Sequence, residues 1–91
     1  MLFMVTFSLT HRDYDERVAR FLSNGAPPPD GVELKGRWFN AVHSKGYMLV
    51  ETDDPKALYR YASEWASLID FEVDPVLTDQ DAASVMADMA K

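Results

Sequence analysis

The hydrophobic pattern of the chain changes period twice within one stretch, residues 46–77. Apolar and polar residues alternate at its start, apolar residues recur at helical spacing in its middle, and alternation returns at its end. Side chains on one face repeat every two residues in a strand and about every 3.6 residues in a helix. The stretch therefore predicts a strand, a helix and a strand.

The first half of the chain shows the same succession. Residues 2–9 are rich in β-branched and aromatic side chains, residues 14–22 carry apolar side chains at helical spacing, and residues 32–39 alternate. The whole chain thus predicts a β-α-β-β-α-β order, with a short C-terminal helix within residues 78–91. This is the split β-α-β arrangement of ferredoxin-like domains. We expect one α+β domain over residues 1–91, with a four-stranded antiparallel sheet in the order 4-1-3-2 and both long helices on one face.

Residues at the predicted helix ends support these boundaries. Thr10, Asp54 and Thr78 stand where a polar side chain can cap the first, second and third helix. Pro55 follows Asp54, and proline favours the first helical position because its missing N–H has no partner there. Gly25 stands where the first helix is predicted to stop.

Composition narrows the class of protein. A chain of 91 residues with 47% hydrophobic content forms one small domain, which buries only about 60 to 65% of its unfolded surface and gains stability from a partner. It has no cysteine, which excludes disulfides and thiolate metal sites. Its net charge of -6 makes nucleic acid an unfavourable partner.

Other function classes lack their motifs in the sequence. A Gly-rich phosphate loop, a nucleophile elbow and an HExxH motif are all absent, so we expect no cofactor, acyl transfer or zinc proteolysis. The apolar segment at residues 1–9 is too short for a membrane span and has no basic residues before it. We therefore expect a cytoplasmic protein without a membrane partner.

Strict alternation along the strands predicts what each sheet face carries. Trp38 is assigned to the face under the helices, and Tyr47 to the opposite, open face. A second copy laid against the open face would bring a basic edge near the acidic edge of its partner. The candidate residues for this homodimer interface are Lys35, Arg37, Leu49, Asp70, Glu72 and Asp74. The alternative is a polar face in contact with solvent.

Three segments resemble a known family. They are MLFMVTF at the start, GRWFN before the central hairpin, and GYMLVETDDPKALYRYASEWASLIDFEVDPVL after it. The chain as far as Asp81 resembles prokaryotic proteins classified only as a domain of unknown function and similar to the dimeric α/β-barrel superfamily. The resemblance implies a ferredoxin-like subunit whose open sheet face forms a dimeric α/β barrel. Superfamily relatives include cofactor-free monooxygenases, lactone isomerases and haem-degrading enzymes, but none of their catalytic motifs is matched here.

His11, His43 and Asp70 are predicted to lie at one end of the sheet. Histidine titrates near neutral pH and a carboxylate can orient it, so such a set can transfer protons or hold a metal. Both histidines nevertheless stand in predicted loops without the spacing of metal ligands. We therefore interpret them as surface residues and expect no metal site.

Two tryptophans and an arginine are further candidates. Trp38 and Trp65 are large core residues or the walls of a pocket for an aromatic ligand. Arg37 can bind a ligand carboxylate through two parallel hydrogen bonds, or pair across the dimer. The candidate ligand-binding residues are Trp38, Trp65, Arg37, Tyr47, His11 and His43.

Three functions fit the sequence. The favoured one is a homodimeric small-molecule-binding or accessory protein with its ligand between sheet and helices or in the barrel lumen. The second is a cofactor-free monooxygenase or isomerase-like enzyme on the same scaffold. The third is a structural or regulatory interaction module that docks through residues 70–91, where six acidic residues stand beside one base, Lys91.

Overall fold

The computed structural model describes residues 1–9 and 12–91, which form a four-stranded antiparallel sheet and three helices. The elements are β1 (Leu2–Ser8), α1 (Tyr14–Asn24), β2 (Glu33–Phe39), β3 (Lys45–Glu51), α2 (Pro55–Trp65), β4 (Asp70–Pro75) and α3 (Asp79–Met89). The strands lie in the order β2-β3-β1-β4. The α+β class and this strand order agree with the prediction, and the sheet of the single chain is open.

The predicted caps of α2 and α3 are confirmed. The Asp54 carboxylate accepts a hydrogen bond from the backbone N–H of Lys56 at 3.0 Å, and Pro55 is the first residue of α2. The Thr78 hydroxyl accepts one from the N–H of Asp81 at 3.1 Å. Each bond satisfies a backbone donor that has no partner inside its helix.

The predicted C-terminal end of α1 is confirmed, whereas its predicted N-terminal cap is not tested. Gly25 ends the helix with a left-handed φ of 71° and donates its N–H to the carbonyl of Phe21 at 2.7 Å, as expected of a C-terminal glycine. The helix begins after Asp13, which has a φ of 63° and makes no side-chain cap. The predicted cap Thr10 lies outside the described residues.

Helices α1 and α2 cover one face of the sheet, which we call the helix face. The main core lies beneath them and consists of Val5, Phe7, Val32, Met48, Val50, Ala57 and Tyr61. Phe7 of β1 pairs with Gly46 of β3. A Cβ atom on Gly46 would lie only 2.0 Å from Phe7 Cζ, so the packing of this ring requires a glycine opposite it.

A second, smaller core surrounds Trp65 at the end of α2. Trp65 is buried with Ala26 and Leu68. The Arg20 guanidinium lies 4.6 Å from the centre of the Trp65 ring, and its Nη2 donates to the backbone carbonyl of Glu64. These contacts stabilise the packing of α1 against α2, because Arg20 belongs to the first helix and its partners belong to the second.

A β-bulge interrupts β2. Leu34 pairs with Val50, but the next paired residue of β2 is Gly36, opposite Leu49. Lys35 is therefore an extra residue without a partner in β3. An extra residue reverses the alternation of side chains after it.

The bulge overturns the predicted faces of Arg37 and Trp38. Arg37 pairs with the buried Met48 and lies on the helix face, whereas Trp38 pairs with Tyr47 on the open face. Trp38 is 55% exposed. Phe39, which strict alternation along residues 32–39 would place beside Arg37 on the open face, lies on the helix face with its ring against Phe7. The predictions for all three side chains were wrong for this one reason.

The open face combines apolar and charged side chains. Strand pairing assigns it Met4, Trp38, Tyr47, Leu49 and Lys45, together with Asp70, Glu72 and Asp74 on the β4 edge. The Trp38 ring lies across Gly36, where a Cβ atom would approach it to 2.4 Å. The predicted open-face positions of Tyr47, Leu49 and the three β4 acids agree with this pairing.

Helix α3 forms as predicted but has no buried residue. Its apolar side chains Val85, Met86 and Met89 are 53%, 68% and 81% exposed. Apolar side chains of the first helix are also exposed, since Leu22 of the predicted buried stripe is 78% exposed. None of the helices in residues 1–9 and 12–91 is long and apolar enough to cross a bilayer.

Candidate functional site

A cleft of about 230 Å³ lies between the helix face of the sheet and helices α1 and α2. All four strands and both helices contribute to its walls. Seven aromatic side chains line it: Phe7, Tyr14, Phe21, Phe39, Tyr61, Trp65 and Phe71. The cleft therefore offers an apolar, largely aromatic surface to a small molecule.

Phe39 shapes the cleft by contacting two other rings. Its ring centre lies 5.6 Å from that of Phe7 and 5.8 Å from that of Phe21, with interplanar angles of 78° and 80°. These are edge-to-face contacts, which aromatic pairs favour. Phe39 joins the sheet to α1 here, because the β2 bulge turns it toward the helices.

Arg37 brings a positive charge into this apolar cleft. Its Nη1 donates to the carbonyl of Gly25 at 3.2 Å, and its Nη2 donates to the carbonyl of Ala26 and the hydroxyl of Tyr61, both at 2.6 Å. The guanidinium also lies 5.5 Å from the centre of the Phe21 ring. Four contacts, made with α1, with α2 and with the loop that follows α1, thus hold the half-buried Arg37 in one orientation.

Tyr61 is the main partner of Arg37 in α2. Its hydroxyl accepts from Arg37 and donates to the carbonyl of Ala26 at 2.6 Å. Burial raises the pKa of Tyr61 above its ordinary value, because the phenolate would lose its hydration, and the charge of Arg37 offsets part of this effect. Tyr61 is therefore a neutral hydrogen-bonding group at neutral pH.

A second arginine, Arg17 of α1, also lines the cleft. It is only 7% exposed, its Nη1 donates to the carbonyl of Arg12 at 3.4 Å, and its guanidinium lies 5.6 Å from the Tyr14 ring centre. The ring of His43, in the β2–β3 loop, meets Tyr14 edge to face at 6.0 Å. Arg17, Tyr14 and His43 therefore form one polar end of the cleft.

The charges of the cleft are all positive. Among the described residues it is lined by two arginines and no aspartate or glutamate, although the chain as a whole carries a net charge of -6. Ion pairs between described residues are found at Met1, at Lys35 and at Lys91. Two cations therefore line the cleft of a chain whose net charge is negative.

The structure brings together three of the six candidate ligand-binding residues. Trp65, Arg37 and His43 line the cleft. Trp38 and Tyr47 lie on the open face, on the other side of the sheet. His11 lies outside the described residues.

Sequence reasoning missed three residues of the cleft: Arg17, Phe39 and Tyr61 as a partner of Arg37. Arg17 carried a usable signal, because it stands three residues after Tyr14 and four before Phe21, within the predicted apolar stripe. A charge at such a position predicts either a paired or a functional group. Nothing in the sequence around Phe39 indicated that it lines the cleft, since its orientation depends on the bulge.

His43 and Asp70 are near the same end of the sheet but on opposite sides of it. Ser8 at the end of β1 pairs with both Lys45 and Asp70, so the β2–β3 hairpin and the start of β4 lie at the same end of the sheet, as predicted. Asp70 nevertheless belongs to the open face, whereas His43 lines the cleft under the helices. Within residues 1–9 and 12–91, no three histidine or acidic side chains are grouped so that they could hold a metal ion.

Comparison with known proteins identifies a family. A search of curated proteins finds no match, and a search of solved structures finds none. The family profile described as "Domain of unknown function (DUF3303)" matches residues 1–90. The chain therefore belongs to the DUF3303 family, which agrees with the predicted membership of a domain-of-unknown-function family.

Proposed function

We propose that this protein binds a small, largely apolar molecule between its sheet and its two long helices, and that it does so as a homodimer. The observation that carries the binding function is the aromatic cleft, which remains unfilled by the protein's own side chains. A closely packed interior leaves few voids larger than a water molecule. A space of about 230 Å³ is far larger than that.

The volume of the cleft limits the size of its ligand. This volume is about 230 Å³. Drug-sized ligands occupy pockets of about 300 to 1,000 Å³. The ligand is therefore a compact molecule, such as a single aromatic ring system or a medium-length alkyl chain.

Filling the cleft should abolish binding. Trp38→Phe leaves Trp65 as the one remaining tryptophan, so its fluorescence reports on the cleft that it lines. In this background we expect a saturable change of emission with 1-octanol or with octanoate. Ala62→Phe should remove the change with both probes, because Ala62 lines the cleft.

The matched control is Ala19→Phe, which adds the same ring to an exposed position of α1. It should leave binding unchanged. If neither octanol nor octanoate changes the Trp65 emission saturably, the proposed binding function is wrong. Equal binding by the Ala62→Phe and control proteins would place the ligand outside the cleft.

The proposed dimer uses the open face. The centre of this face is apolar, with Trp38 and Tyr47 55% and 38% exposed. Lys45 pairs with Ser8 on the β3 side, and Lys35 lies at the bulge of the edge strand. The opposite edge carries the acidic side chains of β4.

A two-fold partner would meet these edges with opposite charges. Its β4 acids Asp70, Glu72 and Asp74 would approach Lys35 and Lys45 of the first copy, and the two open sheets would form the dimeric α/β barrel. Arg37 has no part in this interface, because it lies on the helix face. A second copy is therefore the occupant that both the apolar centre and the charged edges of the open face favour.

A charge at the centre of the open face should separate the dimer. Leu49 is half-buried in the single chain and would be fully buried between two sheets. Leu49→Asp should therefore give a monomer by sedimentation at micromolar concentration, because an unpaired carboxylate would lose its hydration in the interface. Tyr59→Asp is the control, since Tyr59 is 77% exposed on the outer side of α2. A monomeric unmodified protein, or a Leu49→Asp protein that stays dimeric, would contradict this interface.

A further inference from the structure

We propose that the ligand of the cleft is an anion, a carboxylate carried on a compact apolar body, and that Arg37 binds the carboxylate. This inference rests on the proposed binding function and adds the chemical class of the ligand. It assigns the aromatic walls to the apolar body and Arg37 to the head group. Neutral and cationic molecules of the same shape are predicted to bind more weakly.

The first argument is the state of Arg37. A guanidinium has five N–H donors, and three bonds engage it with Gly25, Ala26 and Tyr61. All three acceptors are uncharged, and no carboxylate of the described residues pairs with Arg37. The described residues supply no acceptor for its remaining donors, so a bound carboxylate would provide both the acceptors and the counter-charge.

The second argument is preorganisation. Arg37 is fixed by a tyrosine hydroxyl, two backbone carbonyls and the face of the Phe21 ring. A side chain held in place loses little further conformational freedom when a ligand binds. A long cation on the protein surface would be mobile and hydrated instead. The orientation of Arg37 thus favours a specific contact over a general attraction for anions.

The third argument is the local charge. Arg17 of α1 and Arg37 of β2 both line the cleft. No acidic side chain among the described residues lines this space. Two positive charges beside apolar walls repel a cationic ligand and stabilise an anionic one, because the low local polarity strengthens both interactions.

The class of ligand can be tested with three molecules that share one alkyl chain. Octanoate, 1-octanol and octylammonium are titrated at neutral pH into the protein with Trp65 as its one tryptophan, and their dissociation constants are compared. Octanoate should bind about 10- to 100-fold more tightly than octanol, as expected for hydrogen bonds to a charged group. Octylammonium should bind most weakly. Equal affinities of octanoate and octanol would overturn the anion proposal while leaving the binding function in place.

The role of Arg37 is tested by Arg37→Met, which keeps an unbranched apolar stem and removes the charge and the N–H donors. The affinity for octanoate should fall about 10- to 100-fold, while that for octanol stays within about threefold. Arg37→Gln is a second variant, which retains an uncharged amide donor, in case the methionine protein does not fold. It should show the same selective loss. A preference for octanoate that survives in a folded variant without the charge of Arg37 would overturn the assignment.

Discussion

Replacement of Trp65 by alanine should lower the free energy of unfolding by about 3 to 5 kcal/mol. Trp65 is 5% exposed and packs with Ala26 and Leu68, and its ring also contacts the Arg20 guanidinium. Its loss would leave a cavity where α1 is fastened to α2. A domain of this size has a total stability of about 5 to 15 kcal/mol, so chemical denaturation should show a protein close to unfolding.

The second tryptophan provides the control. Trp38→Ala should cost less than about 1 kcal/mol, because Trp38 is 55% exposed and contributes mainly a cross-strand contact with Tyr47. Both variants are best compared in the monomeric Leu49→Asp background, where association does not add to stability. A larger loss for Trp38→Ala than for Trp65→Ala would mean that Trp38, and not Trp65, is the buried tryptophan. The face of the sheet assigned to Trp38 would then be wrong.

Gly46→Ala should cost about 1 to 3 kcal/mol, the range found when a packed core receives extra atoms. The new methyl group would overlap the ring of Phe7, whose Cζ lies 2.0 Å from the position of the added Cβ. Phe7 is 4% exposed and has to move within the core. Thermal or chemical unfolding measures the loss.

Gly36→Ala is the matched variant on the other face. Its Cβ would approach the Trp38 ring to 2.4 Å, a comparable overlap. In the Leu49→Asp background, where the open face is not covered by a second copy, the Trp38 ring can turn into solvent, so we expect a change of less than about 1 kcal/mol. Similar losses for the two glycine variants would contradict the claim that burial of the ring, and not the overlap itself, determines the cost.

The sequence predicted the elements and their order because their signals are local and repeated. The helical spacing of Leu58, Tyr61 and Trp65 is set by contact with one surface, and the Asp54-Pro55 pair marks the start of that helix. Strand pairing then leaves few arrangements for four strands and two crossing helices. These features depend on neighbours in the chain, which a pattern can reveal.

The candidate site was predicted only in part, because it depends on one irregular pair of strands. Alternation along β2 assigned Trp38 to the core and Arg37 to the open face. The pattern could not show that Lys35 lacks a partner in β3, since this is a property of two strands together. Gly36 was the one hint in the sequence, because a glycine inside a strand often marks a bulge.

The bulge makes the pairing register of β2 decide the chemistry on both sides of the sheet. If Lys35 paired with Leu49 in place of Gly36, the bulge would disappear and the residues from Gly36 onward would exchange faces. Trp38 would then face the cleft and Arg37 the open side of the sheet, although the sequence would be unchanged. Deletion of Lys35 would have the opposite effect, because Gly36, Arg37 and Trp38 would keep their present partners in a strand without a bulge. A β2 shorter by this one residue would therefore hold Arg37 beneath the helices with regular strand pairing.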